Sequence, residues 1–161
     1  MSGNSHHEHD NYFLIGDIGG TNLRVELKDR HNVSVKKLVV KTSDFKNFSE
    51  FIRHFFKDEK IQPPQVYGAI CIASKILNNK AVTNANYNWE LADGDAVKQE
   101  FGFKQMILLN DFEACGYAVP KLNTAELVLL KGDHHVNFNA DYKVMLVGPG
   151  TGLGVCLVTH K

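Results

Sequence analysis

The chain has 161 residues, 43% of them hydrophobic, with 18 Lys and Arg set against 18 Asp and Glu, so its formal net charge is zero. That balance leaves no electrostatic footprint for nucleic acid or an anionic membrane surface, and the longest apolar run, 66–73, falls far short of the about 20 residues that a membrane helix needs. The length supports one domain with a sizeable core and is too short for two full ones.

The first eleven residues are polar, carry His6, His7 and His9, and lack the apolar stretch of a secretory signal, which predicts a disordered tail. Three strands are expected next, over 12–18, 22–28 and 33–41. In the second of these, Leu23, Val25 and Leu27 alternate with Arg24, Glu26 and Lys28, the pattern of a half-buried antiparallel strand. Phe48, Phe51, Ile52, Phe55 and Phe56 then recur at helical spacing and predict an amphipathic helix over 47–60, with Asn47 and Glu50 as a capping box. Pro63-Pro64 interrupts the chain before a buried strand at 66–73. A helix over 93–101 ends at Gly102, a short buried strand covers 105–109, and a helix over 111–119 ends at Pro120. Strands at 142–147 and 154–159 close the sequence. Antiparallel strands first, then alternating helices and strands, predict an α/β fold with a mixed sheet. Cys71, Cys115 and Cys156 are widely spaced in apolar surroundings and predict buried thiols in a reducing, cytoplasmic compartment.

Two glycine-threonine turns carry the chemistry. Gly19-Gly20-Thr21 follows the apolar run 12–15, and Gly150-Thr151-Gly152-Leu153-Gly154 lies between the runs 144–147 and 155–158. Glycine lets the backbone approach a phosphate closely, inward amides donate to it, and threonine adds a hydroxyl. Two such turns predict a polyphosphate gripped from two lobes. Asp17 precedes the first turn, where a carboxylate can hold Mg²⁺ through water or fix its own turn by bonding the local amides. Asn110-Asp111 stands between a strand and a helix. It suits either an ordinary helix cap or a ligand-facing pair at a strand's carboxyl end, with the aspartate taking the proton of an attacking hydroxyl. Thr83, Asn84 and Trp89 suit sugar hydroxyls covered by an indole, or equally an Asn-rich turn with a packing tryptophan. The Gly148–Gly154 run does not fit G-x-G-x-x-G, and no P-loop, zinc-type Cys/His spacing or G-x-S-x-G occurs. His134-His135 reads as an exposed loop pair.

Four blocks together resemble the N-terminal part of the bacterial-type glucokinases, sugar kinases of the hexokinase and actin superfamily. They are Leu14 to Arg24, Val82-Thr83-Asn84 with Trp89, Leu109 to Phe112, and Gly148 to Gly154, in the family's order and at about its spacing. The resemblance implies an actin-like, ribonuclease H-like lobe with a mixed sheet, ATP and Mg²⁺ as cofactors, and a hexose, glucose first, as substrate. By the same resemblance Asp111 is the general base for the sugar 6-hydroxyl, and Asn110 and Asn84 bind the sugar beside it. Gly19, Gly20 and Thr21 form the first phosphate turn, Asp17 orients the magnesium, and Thr151 and Gly152 belong to the second phosphate turn.

The implied division is a tail over 1–11, a glucokinase lobe over 12–140, and the opening strands of a second, otherwise absent lobe over 141–161. The family continues with a Glu-x-Gly-His sugar loop and the adenosine site, which the 161 residues do not contain, and Ser74-Lys75 replaces a proline common after the strand at 66–73. The expected activity is ATP-dependent phosphorylation of glucose. The alternatives are a glucokinase-derived binding or structural subunit, or one half of a split kinase completed by a partner chain or a second copy. A related sugar-responsive regulator would need a helix-turn-helix preface or basic region, and neither is present.

Overall fold

The computed structural model describes residues 11–57, 60–83, 89, 91–123, 125, 127–132, 137–150 and 153–161. The chain divides into two compact units, Met1–Asn110 and Asp111–Lys161.

The first unit is built on a five-stranded sheet. Strands β1 (Tyr12–Ile18), β2 (Asn22–Lys28) and β3 (Ser34–Lys41) form an antiparallel meander, and β4 (Val66–Ile72) joins β1 in parallel. The short β5 (Ile76–Leu77) and β6 (Lys80–Ala81) make a separate hairpin, and β7 (Gln105–Asn110) runs parallel to β4, giving the order β3-β2-β1-β4-β7. The fold is therefore α/β with a mixed central sheet. Leu14, Ile18, Leu23, Leu27, Val66, Ile70, Ile72 and Met106 are fully buried on one face, against the helices α1 (Phe48–Phe56) and α2 (Gly94–Phe101). Phe13, Ile15, Tyr67 and Ile107 alternate onto the other face and are about two-fifths exposed.

Helix α1 forms because its five apolar positions fall on one face, all of them buried. It is shorter than the expected 47–60, and its cap differs in one detail. The Asn47 side chain accepts the Glu50 amide at 2.9 Å, but the Glu50 carboxylate reaches back to the Lys46 amide at 2.6 Å, one residue before the cap. Asp93 caps α2 by accepting the Ala96 amide at 3.0 Å, and Gly102 ends it at φ 73°, a left-handed conformation that glycine takes without strain. The β5–β6 hairpin, which hydrophobic periodicity did not reveal, turns through Asn78 and Asn79 at φ 49° and 59°.

In the second unit, helix α3 (Asp111–Ala118) continues into a 3₁₀ turn at Val119–Lys121. Strands β8 (Tyr142–Pro149) and β9 (Leu153–His160) pair antiparallel, longer than the sequence pattern suggested, with Gly148 opposite Gly154. Helix α3 packs on this hairpin at Gly116, where an added Cβ would stand 3.1 Å from Cys156 Sγ and 3.3 Å from Val158 Cγ2. The ring of Phe112 fills the notch over the Gly148–Gly154 pair, so a side chain on either glycine would overlap it.

The expectation of three buried thiols does not hold. Cys115 is exposed on α3, and Cys71 and Cys156 are only partly buried, because an apolar neighbourhood in sequence does not say which face of a strand or helix a residue occupies. No helix among the described residues is long and apolar enough to cross a membrane.

Candidate functional site

The three parallel strands end at the same level. Ile18 of β1 is in register with Ile72 of β4, and Ile72 with Asn110 of β7. The Gly19-Gly20-Thr21 turn and Asn110 therefore stand at the carboxyl edge of one sheet, two strand spacings or roughly 10 Å apart. That edge is where open α/β sheets hold their ligands.

The turn itself is short. The Gly19 amide bonds to the Asn22 carbonyl at 2.9 Å, and the carbonyls of Gly19 and Thr21 accept from Thr42. Among the described residues, nothing accepts from the amides of Gly20 and Thr21 or from the Thr21 hydroxyl, and Thr21 is exposed. These unspent donors suit an anion.

Asp17 lies one residue before the end of β1, directly opposite Arg24 across the hairpin, and its Oδ2 accepts from the guanidinium at 3.2 Å. Both side chains are substantially exposed, so the pair contributes little to stability. Cys71, beside Asp17 on β4, places its Sγ 3.3 Å from the Gly16 carbonyl and 3.7 Å from Asp17 Oδ1. Among the described residues no group of three or more His, Cys, Asp or Glu could hold a metal ion. Mg²⁺ retains most of its water and needs only one or two carboxylates. Asp17 therefore fits a water-mediated contact with a hydrated ion carried on phosphates, and does not fit a protein cage.

Asn110 is held from the neighbouring strand's end. Its Nδ2 donates to the Ser74 carbonyl at 3.0 Å. Ser74, 5% exposed, also receives the Thr83 amide on its hydroxyl at 3.2 Å and lies 3.3 Å from the Thr83 hydroxyl. Ser74 thus ties the 74–83 segment to Asn110. Trp89 is buried, and its indole N–H donates to the carbonyls of Phe45 at 2.7 Å and Thr42 at 3.1 Å. It packs in the core, as the second of the two sequence readings had it. Asn84 lies outside the described residues, as do Thr151, Gly152, His134 and His135.

In the second unit, Asp111 opens α3 and is partly buried. Its Oδ1 accepts the amide of Phe112 at 3.0 Å, the residue next to it, whereas a helix cap would take the amide two or three residues on. Of the positions predicted from sequence, the first phosphate turn, Asp17 and Asn110 share one sheet edge. The hydrogen bonds of Ser74 and Thr42 were not readable in the sequence, since a lone hydroxyl at a strand end carries no pattern. The Asp17–Arg24 pairing was accessible, because a tight turn after Ile18 fixes the register that sets them opposite each other.

A sequence-family profile for glucokinase matches residues 14–161. The glucokinase of Neisseria meningitidis serogroup C / serotype 2a (strain FAM18) is 31% identical over 148 residues, which are 92% of this chain and 43% of that protein. A crystal structure of glucokinase from an Antarctic psychrotroph superposes with a TM-score of 0.71 at 27% identity, over 94% of this chain and 50% of that one. A ROK-family glucokinase from Streptomyces griseus, solved in complex with glucose and AMPPNP, shares the fold at a TM-score of 0.52 and 17% identity, over 93% of this chain and 44% of that one. The chain spans about two-fifths of the length of curated glucokinases such as the Neisseria protein, and 21% of a bifunctional relative from Burkholderia orbicola. On the profile match along almost its whole length, the chain belongs to the glucokinase family.

Proposed function

We propose that this chain supplies the first phosphate turn, the hexose-facing edge and the general base of an ATP-dependent glucokinase. The observation that supports the reading is the common level of Ile18, Ile72 and Asn110, which sets the unspent turn amides and Asn110 on one sheet edge. The amides of Gly20 and Thr21 and the Thr21 hydroxyl bind the phosphate oxygens of ATP. Thr151 and Gly152, by the resemblance, belong to a second phosphate turn. Asp17 would orient the water shell of a Mg²⁺ ion carried on the phosphates, which would supply charge neutralisation during transfer.

Asn110, fixed by the Ser74 carbonyl, presents its amide to a sugar hydroxyl, and Asn84 is a further sugar-binding residue by the resemblance. Asp111, the next residue, accepts the proton as the glucose 6-oxygen attacks the γ-phosphorus in line. The bond from that phosphorus to the β,γ-bridging oxygen breaks, and the products are glucose 6-phosphate and ADP. Phosphoryl transfer asks the protein mainly to position groups and screen charge, and these residues are of that kind.

A second reading is favoured by one observation. Met145, Val147, Val155 and Leu157 form an apolar row on β8–β9 and are each more than half exposed. Such a row suits a chain that works joined to a partner, either another polypeptide or a second copy, as a binding subunit or as one half of a kinase.

Ligand mapping by ¹⁵N NMR on the full chain tests the main reading. Mg–AMPPNP is expected to shift the amides of Gly19, Gly20 and Thr21, and glucose those of Asn110 and Thr83. Shifts scattered over the surface, or none at saturating ligand, would contradict it.

A further inference from the structure

Thr42 has no part in the chemistry described so far, yet of the described residues it and Ser74 are the polar side chains that are buried, and Thr42 is fully so. Fully burying a hydroxyl is unfavourable unless it is bonded. Thr42 follows the last rung of the β2–β3 ladder, Asn22 opposite Lys41, and reaches past it to the turn. Its Oγ1 donates to the Gly19 carbonyl at 2.8 Å and its amide donates to the Thr21 carbonyl at 3.0 Å. Its own carbonyl accepts the Trp89 indole N–H, which also bonds the Phe45 carbonyl and so holds the chain on both sides of the 3₁₀ turn Thr42–Asp44.

The consequence lies in the geometry of a trans peptide. C=O and N–H lie in the peptide plane and point in opposite directions across the C–N bond, and the described residues contain no cis bond. With the Gly19 carbonyl drawn onto Thr42, the N–H of Gly20 is turned to the side away from it. That amide is one of the donors with no acceptor among the described residues. A glycine pair is otherwise free to rotate this peptide.

We infer that Thr42, backed by Trp89, is a positioning residue that locks the Gly19–Gly20 peptide so that the Gly20 amide faces the nucleotide phosphates. The inference rests on the reading of 19–21 as a phosphate turn. It makes the binding of polyphosphate, and not of hexose, depend on a hydroxyl that touches neither ligand.

Equilibrium binding of Mg–AMPPNP and of glucose to the full chain and its variants tests it. Thr42→Val keeps the shape and removes the hydroxyl, and Thr42→Ser restores it. Loss of one buried hydrogen bond at the turn is expected to weaken Mg–AMPPNP binding about tenfold. Glucose affinity stays unchanged, and Thr42→Ser lies within about threefold of the wild type. Trp89→Phe removes the indole donor together with part of the buried ring and is expected to give a selective loss of at least about twofold in nucleotide binding with glucose affinity kept, which keeps the test decisive if Thr42→Val does not fold.

Wild-type nucleotide affinity in Thr42→Val would overturn the inference. So would an equal loss of nucleotide and glucose, which marks a merely structural role, or normal nucleotide binding by Trp89→Phe where Thr42→Val is unfolded. A wild-type chain that binds no Mg–AMPPNP would sink the phosphate-turn reading itself, and this inference with it. Glucose binding to the same sample would then show that the hexose edge stands independently.

Discussion

Asn79 occupies a left-handed conformation at φ 59°, and its side chain leaves the β5–β6 turn for the open edge of β7. There Oδ1 accepts the Leu108 amide at 2.8 Å, while Nδ2 donates to the Met106 carbonyl and to Asp95, each at 2.8 Å. One amide side chain thus does for the sheet edge what another strand would, at a place where unpaired backbone invites association. Asn79→Ala removes these bonds and leaves partly buried groups of β7 unsatisfied. It is expected to destabilise the chain by about 1–3 kcal/mol in urea unfolding. An effect below about 0.5 kcal/mol would show that water replaces the asparagine. The Asn78-Asn79 pair was legible as a turn because asparagine tolerates positive φ. Its reach to β7 was not, since the partners lie 27 and 29 positions away and share no pattern with it. Asn110 and Asp17 stood out in the sequence for the opposite reason: each is a polar residue at the end of an apolar run, and both remain paired in their strands, β7 and β1. The same argument could not rank Ser74 or Thr42, whose roles depend on which carbonyl happens to stand opposite.

At the scale of elements, Asp93 joins helix α2 to the β5–β6 hairpin. It caps the helix through the Ala96 amide and receives the Lys80 ammonium at 2.6 Å. Burial by itself pushes the Asp93 carboxyl up, but the hydrogen bond from Lys80, the Ala96 amide and the Lys80 charge together outweigh it and leave the group below its ordinary value. A carboxylate held below its unfolded value stabilises the fold above that value and loses the contribution as pH falls through the lower one. Stability should therefore fall as the pH drops below about 4, and Asp93→Asn should remove part of that acid-side slope while retaining the cap. An unchanged slope would assign the acid loss to other carboxylates.

Helix α1 rests on its apolar face more than on its cap. Phe51 is fully buried and meets Phe45 edge-on and Phe55 at a tilt. Phe51→Ala is expected to cost about 3–5 kcal/mol, read from thermal or urea unfolding. The aromatic spacing announced this helix in the sequence. The short β5 and β6 escaped because two residues per strand are too few to show any period.

For the whole molecule, the unit boundary at Asn110–Asp111 separates two neighbours to which the sequence assigned one task. The parallel alignment of β1, β4 and β7 is what collects the candidate residues of the first unit, and it was legible only as a fold class. Alternating runs predict strands, while their order in the sheet depends on long-range pairing. The second unit leaves Met145, Val147, Val155 and Leu157 exposed in matched register, Met145 opposite Leu157 and Val147 opposite Val155. The chain is expected to associate with rising concentration in sedimentation velocity, and Leu157→Lys to weaken that association. A monomer at every concentration would show that this row makes no contact between copies.

Glucose-dependent ADP formation tests the central claim most directly, measured for the chain and Asp111→Asn side by side, alone and with the C-terminal half of the Neisseria relative supplied. The account predicts turnover that requires glucose in the completed enzyme and falls by about 10²–10⁴ in Asp111→Asn. Turnover that survives this substitution would contradict the assignment of the base. A completed, folded enzyme with no turnover at all would contradict the kinase reading and leave a binding subunit in its place.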